Sequence, residues 1–150
     1  VRSAAALAVF ILLVVAAASF GAVFQPGDWY EDLRKPPLTP PNWIFGPVWS
    51  VLYLCVAVAA WLVWRASADR TALALWSAQL TLNALWSYLF FGLHQPALAL
   101  VEILCLLGLI VATFAVFLRE SSLAGSLIVP YAAWVGFASY LNAGVWYLNR

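Results

Sequence analysis

The side chains in this sequence that can do chemistry are mostly rings and amides. There are nine tryptophans and six tyrosines but a single histidine, His94, and two cysteines, Cys55 and Cys105. No nucleophile is paired with a base, and no Cys-x-x-Cys or His-rich cluster occurs. Conventional catalysis and a built-in metal or haem site are therefore poorly supported. Aromatic rings with a few amide and indole hydrogen-bonders suit a pocket for a large, flat or rigid apolar ligand. Residues 40–53 concentrate this chemistry: Pro40-Pro41-Asn42-Trp43 leads through Phe45, Pro47 and Trp49 to Tyr53. A proline-rich loop there becomes a long apolar helix, with rings at its mouth. Trp43 reads as an interfacial anchor; Trp49 and Tyr53, a turn or two deeper, read as pocket wall.

The elements that carry these rings are set by composition. The chain is 66% hydrophobic and 9% charged, whereas soluble domains carry about 25% charged residues. A net charge of +1 supplies no clustered cations and excludes nucleic acid as an expected partner. Long neutral runs divide the chain, and a bilayer core of ~30 Å needs about 20 apolar residues at ~1.5 Å per residue. We place spans at 4–24, 43–64, 71–91, 97–118 and 123–148. The uncharged break Gly92-Leu93-His94-Gln95-Pro96 separates the third from the fourth. The expected fold is an all-α membrane protein: a five-transmembrane-helix bundle in one domain, residues 1–150, with a structured loop between its first two helices. The first span reads as a retained helix and not a signal peptide, because its apolar run exceeds a typical leader core. Four cations against three on the two faces leave orientation open. Cys55 and Cys105 sit in apolar runs and read as inert packing.

The loop at 25–42 is the longest connection. Asp28 followed by Glu31 suits a helix N-cap with a carboxylate reaching back, and Lys35-Pro36-Pro37 ends the short helix. Its prolines and rings fit either a lid or an interfacial aromatic belt.

Polar residues inside the spans need partners. Gln79, Asn83 and Ser87 share one helical face flanked by Trp76, Trp86 and Phe90. Gln79 reads as helix–helix glue, while for Asn83 glue and ligand contact both fit. In the fifth span Trp134 lies too deep for the belt, Ala138 leaves room one turn on, and Gly136 and Gly144 permit close helix approach. By helix rise Trp49 lies ~10 Å and Asn83 ~12 Å below the loop surface, with Trp134 somewhat deeper, so the three can line one cavity under the loop, with Tyr30 closing it from above. Glu102 is the only acid within a span; with Pro96 less than two turns away, it is expected to snorkel to the interface. Val145, Tyr147 and Arg150 fit a weak, degenerate sterol-contact pattern. Small-xxx-small pairs at Ala17/Gly21, Ala74/Ala78 and Gly108/Ala112 offer close helix contacts, either within the bundle or between the subunits of a homodimer.

Taken together these motifs resemble the tryptophan-rich sensory protein / translocator protein (TspO/MBR) family, also called peripheral-type benzodiazepine receptors. The likeness rests on Trp29-Tyr30, Leu33 and Lys35-Pro36; on Pro40-Pro41-Asn42-Trp43, Phe45, Pro47-Val48-Trp49 and Leu52-Tyr53; on Gln79-Leu80, Asn83, Trp86-Ser87 and Phe90-Phe91; and on Pro130-Tyr131, Trp134, Phe137-Ala138 and Leu141-Asn142. It covers essentially the whole chain. The resemblance implies a multi-pass protein of a bacterial membrane, often dimeric, with one pocket under the first loop for protoporphyrin IX-like porphyrins, sterols or benzodiazepine-site drugs. It implies pocket residues Tyr30, Trp49, Tyr53, Asn83, Trp86, Trp134 and Ala138. It also implies that Trp134 and Tyr30 would act in any light-dependent porphyrin breakdown, and that porphyrin is a ligand and not a built-in cofactor. Binding or sensing is the expected activity, with degradation and translocation as alternatives.

Overall fold

A computed structural model describes residues 1–150. All the regular structure is helical, with the order α1 (Arg2–Ala22), α2 (Asp28–Glu31), α3 (Asn42–Ala66), α4 (Arg70–Ser87), α5 (Pro96–Glu120) and α6 (Ser122–Leu148). The π-helical turn Tyr88–Gly92 continues α4.

Local chemistry sets the boundaries. Asp69 caps α4, its Oδ1 accepting from the Ala72 N–H at 2.8 Å, and Ser121 caps α6 through the Ala124 N–H at 3.2 Å. Each satisfies an N–H left orphaned at a helix start. Pro96 opens α5 at a position where its missing N–H costs nothing. The short helix in the loop forms as expected, but its cap differs. Gly27 precedes it with no side-chain cap bond, and Glu31 reaches forward instead, accepting from Asn42 Nδ2 at 3.0 Å.

Four helices, α1, α3, α5 and α6, are long and apolar enough to cross a membrane. α4 carries more polar residues, and the buried ones, Gln79 and Asn83, face inward. The core runs down the middle of the bundle, where Val56, Ala57, Ala60 and Val63 of α3 meet Trp76 of α4, Ile103, Leu106 and Ile110 of α5, and Ile128, Tyr131 and Val135 of α6. Buried alanines on α3 allow close backbone approach, as expected where packing has to replace the hydrophobic effect. Trp76 locks α4 to α3 by donating its indole N–H to the Val56 carbonyl at 3.0 Å. Trp61 ties α3 to the start of α1 through the Ser3 carbonyl at 2.8 Å.

Several sequence expectations are revised by packing. Glu102 does not snorkel: it is buried, on the same stripe of α5 as Ala99, Ile103 and Leu106. Cys105 faces outward and not into the interior. Gly136 meets nothing, and Gly144 faces the loop and not a helix, its Cα lying so close to Pro36 that an added Cβ would sit 2.5 Å from the ring.

Candidate functional site

The first loop lies folded over one end of the bundle, and both halves of it are anchored. Tyr30 is buried, its ring packed edge-on against Phe91 (centroids 5.5 Å apart) and covered by Lys35 Nζ at 4.6 Å. Burial pushes the Tyr30 phenol above its ordinary range, and the neighbouring Glu31 charge adds to the effect. Trp29 stacks on His94 at 4.3 Å, nearly parallel. The far half docks on the end of α6. There the Arg34 N–H donates to Asn149 Oδ1 at 2.9 Å, and Asn149 Nδ2 returns a bond to the Arg34 carbonyl at 2.8 Å. The Tyr140 hydroxyl donates to the Pro37 carbonyl at 2.8 Å. This is the geometry of a lid. Trp43, by contrast, points outward as an interfacial anchor would.

Beneath the lid is a cavity of about 530 Å³, within the range of ~300–1,000 Å³ that holds drug-sized ligands. Tyr30, Trp49, Tyr53, Asn83, Trp86, Trp134 and Ala138 all line it. They come from the loop, α3, α4 and α6, so the fold brings together what lies more than 100 residues apart in the chain. No lining residue is charged.

Hydrogen bonding sorts these side chains by role. Asn83 is committed at both ends: its Oδ1 accepts from the Tyr53 hydroxyl at 2.6 Å, and its Nδ2 donates to the Tyr131 hydroxyl at 2.8 Å. Tyr131 in turn donates to Gln79 Oε1 at 2.5 Å. Asn83 is therefore glue and cavity wall at once, with one N–H and one lone pair to spare. The Trp86 indole donates to Asn142 Oδ1 at 2.9 Å, and Asn142 Nδ2 donates to the Pro96 carbonyl at 2.8 Å. Trp134 differs. Its ring stands perpendicular to Trp49 at 6.4 Å and packs edge-on against Phe45 at 6.0 Å, yet its buried Nε1–H has no partner. The ring forms part of the cavity wall, while its nitrogen is closed off from the cavity with its hydrogen-bonding capacity unspent.

Sequence reasoning missed other parts of the wall. Ala18, Gly21 and Ala22 form a low wall from α1, and Phe24, Gln25 and Thr39 close the cavity near the lid. The small residues of α1 suggest a helix contact, and Gly21 makes one with α4, where it faces Ser87 with 3.4 Å between an added Cβ and the hydroxyl. Asn142 could have been found, since it shares the helical face of Trp134 and Ala138. Phe90 and Phe91 both reach the cavity because the π-helical turn, with Leu93 N–H bonded to the Tyr88 carbonyl at 2.8 Å, shifts the register there.

A family model described as TspO/MBR matches residues 9–148. The chain belongs to the TspO/MBR family. Similar relatives include Protein CrtK of Rhodobacter capsulatus, 38% identical over 95% of this chain and 91% of its own length. The Translocator protein of Homo sapiens is 40% identical over 87% of this chain and 82% of its own. The Tryptophan-rich sensory protein of Cereibacter sphaeroides is 36% identical over 93% and 89%. Family membership and the four long apolar helices together make this TspO/MBR chain an integral membrane protein. The three residues of the sterol pattern are not brought together at one surface. Val145 is buried and lines the cavity, while Tyr147 and Arg150 stand outside, the guanidinium 4.3 Å over the Tyr147 ring.

Proposed function

We propose that this protein is a membrane-embedded binding protein or sensor for large, flat, hydrophobic ligands of the porphyrin class, with sterols or benzodiazepine-type drugs as further occupants. One observation carries the reading: seven aromatic, amide and small residues from separate elements line a single uncharged cavity of about 530 Å³ beneath the lid. The uncharged wall favours ligands whose apolar face enters first and whose acidic groups stay at the mouth. Titrating protoporphyrin IX into purified protein and following its absorbance tests this. Saturable binding that weakens in Trp49→Ala supports the site, and affinity unchanged in both Trp49→Ala and Trp134→Ala sinks it.

On this reading the bundle crosses the bilayer five times. α4 with its π-helical extension is about 34 Å long at ~1.5 Å per residue, and its buried amides are turned inward. The protein is also proposed to be a homodimer, with outward-facing small residues such as Ala74 and Ala78 on α4 or Gly108 on α5 as contact candidates. Crosslinking in membranes that captures only monomer would refute it.

Light-dependent porphyrin breakdown is a second reading, favoured by one observation: Tyr30 and Trp134, the two oxidisable side chains the resemblance implicates, both face the cavity. Illumination of the complex decides it, since bleaching as fast in Trp134→Phe as in the parent removes the mechanism. Translocation of the ligand is tested by flux in liposomes.

A further inference from the structure

Glu102 takes no part in the cavity. It is 8% exposed, and neither carboxyl oxygen has a hydrogen-bond partner. It sits on the face of α5 that packs against α6 and α4. Asn142 bonds the Pro96 carbonyl and accepts from Trp86, which fixes the level of the three helices. Glu102 lies ~9 Å along α5 from Pro96. The same distance from Asn142 along antiparallel α6 reaches the Val135–Ser139 turn, and from Trp86 along α4 the Leu80–Asn83 turn.

No cation faces it from either neighbour. Between Arg70 and Arg119 the only charged side chain is Glu102 itself, and α6 contains no Lys, Arg, His, Asp or Glu. Apart from the Cys55 and Cys105 thiols and the charged residues at the helix ends, the titratable groups of the surrounding helices are phenols. Tyr131 of α6 is engaged with Asn83 and Gln79, Tyr53 of α3 is engaged with Asn83, and Tyr88 lies on the π-helical turn. A bare carboxylate in such a place lacks solvent, counter-ion and donor at once, which is among the most costly arrangements in a membrane interior. Taking up one proton removes the charge without any other change.

We propose that Glu102 is a proton-binding site set in the seam between α4, α5 and α6, behind the cavity wall, and that it holds its proton while the seam is closed. Water reaching the carboxyl when the seam parts is the source and the acceptor of that proton, so the step is a simple acid–base exchange. The seam and the cavity share helices: Asn83 and Trp86 of α4, and Ala138 and Asn142 of α6, line the cavity from the elements that cover Glu102. A ligand that holds those side chains also holds the seam shut. This coupling, unlike the proton site itself, rests on the porphyrin-binding reading.

Infrared spectroscopy of the full protein in membranes, with ¹³C-labelled glutamate, tests both parts. The expected result is one labelled C=O band of a protonated acid at neutral pH that shifts slowly in D₂O and is absent from Glu102→Gln. Glu31→Gln and Glu120→Gln, at the loop and at the end of α5, should leave the band in place, which keeps the assignment secure if Glu102→Gln fails to fold. Only ionised carboxylate bands, or an acid band lost in either of those two variants, would overturn the site. Protoporphyrin IX, its binding followed by its own absorbance, should slow the deuterium shift by about fivefold or more. An unchanged rate with porphyrin bound removes the coupling. Porphyrin that does not bind at any concentration sinks the binding reading, while the acid band still decides the proton site.

Discussion

Replacing Trp134 by Phe should move stability and affinity differently, and that separation tests the site more sharply than a loss of binding alone. The indole N–H is buried with no partner, and an unsatisfied buried donor costs about 1–3 kcal/mol. Phe removes that cost but also gives up part of the indole's apolar contact, worth roughly 1–2 kcal/mol for one or two methylene equivalents. These terms offset, so unfolding stability should change by no more than about 1 kcal/mol in either direction. The bound state has no such offset. A weaker aromatic contact of about 0.5–1.5 kcal/mol weakens binding by roughly 2- to 13-fold. Thermal unfolding in detergent gives the first number, and absorbance titration of protoporphyrin IX the second. A variant destabilised by more than about 2 kcal/mol with affinity intact would show that Trp134 is packing, and the reasoning from its orphaned N–H would be wrong.

Other expectations follow from the same contacts. Tyr131→Phe strips the partner from both Gln79 Oε1 and Asn83 Nδ2 inside the bundle, which should cost about 2–4 kcal/mol in unfolding stability. Adding Gln79→Leu should recover part of that loss, and strict additivity of the two changes would contradict the network. Gly144→Ala drives a Cβ into Pro36 and should release the lid at a cost of about 1–3 kcal/mol. Limited proteolysis of residues 25–41 would report it, and unchanged protection would mean the docking is looser than the geometry implies. Tyr30 favours its neutral phenol when docked. Its contribution to lid closure is therefore complete below the unfolded value near pH 10 and is lost as pH rises through the higher folded value. Lid protection measured against alkaline pH should fall in that window in the parent and remain in Tyr30→Phe.

Much of this arrangement is legible in the chain because depth in a bilayer is counted in residues. Trp49 and Asn83 fall at one level by helix rise alone, with Trp134 deeper, and Gly92 to Pro96 must end a helix whatever surrounds it. Facing is harder to read. α1 looks like a uniform apolar rod, so nothing in it marks Ala18, Gly21 and Ala22 as cavity wall. Phe91 reaches the cavity through a π-helical turn that no periodicity announces. Gly144 invites a helix neighbour, but the neighbour is a proline from the loop.

By itself the sequence determined an all-helical membrane protein, its break points, and the family to which its aromatic and amide motifs belong. These follow from local quantities: apolar length, proline and glycine placement, and residue spacing. Only the tertiary structure decided which hydrogen-bonding groups are spent and which remain free. Asn83 and Asn142 look alike as buried amides, yet both are tied into the bundle, while the Trp134 indole and the Glu102 carboxyl are left without partners. Satisfaction of a polar group depends on atoms brought to within about 3 Å from distant segments. That proximity is set by how helices pack, and a linear pattern does not encode it residue by residue.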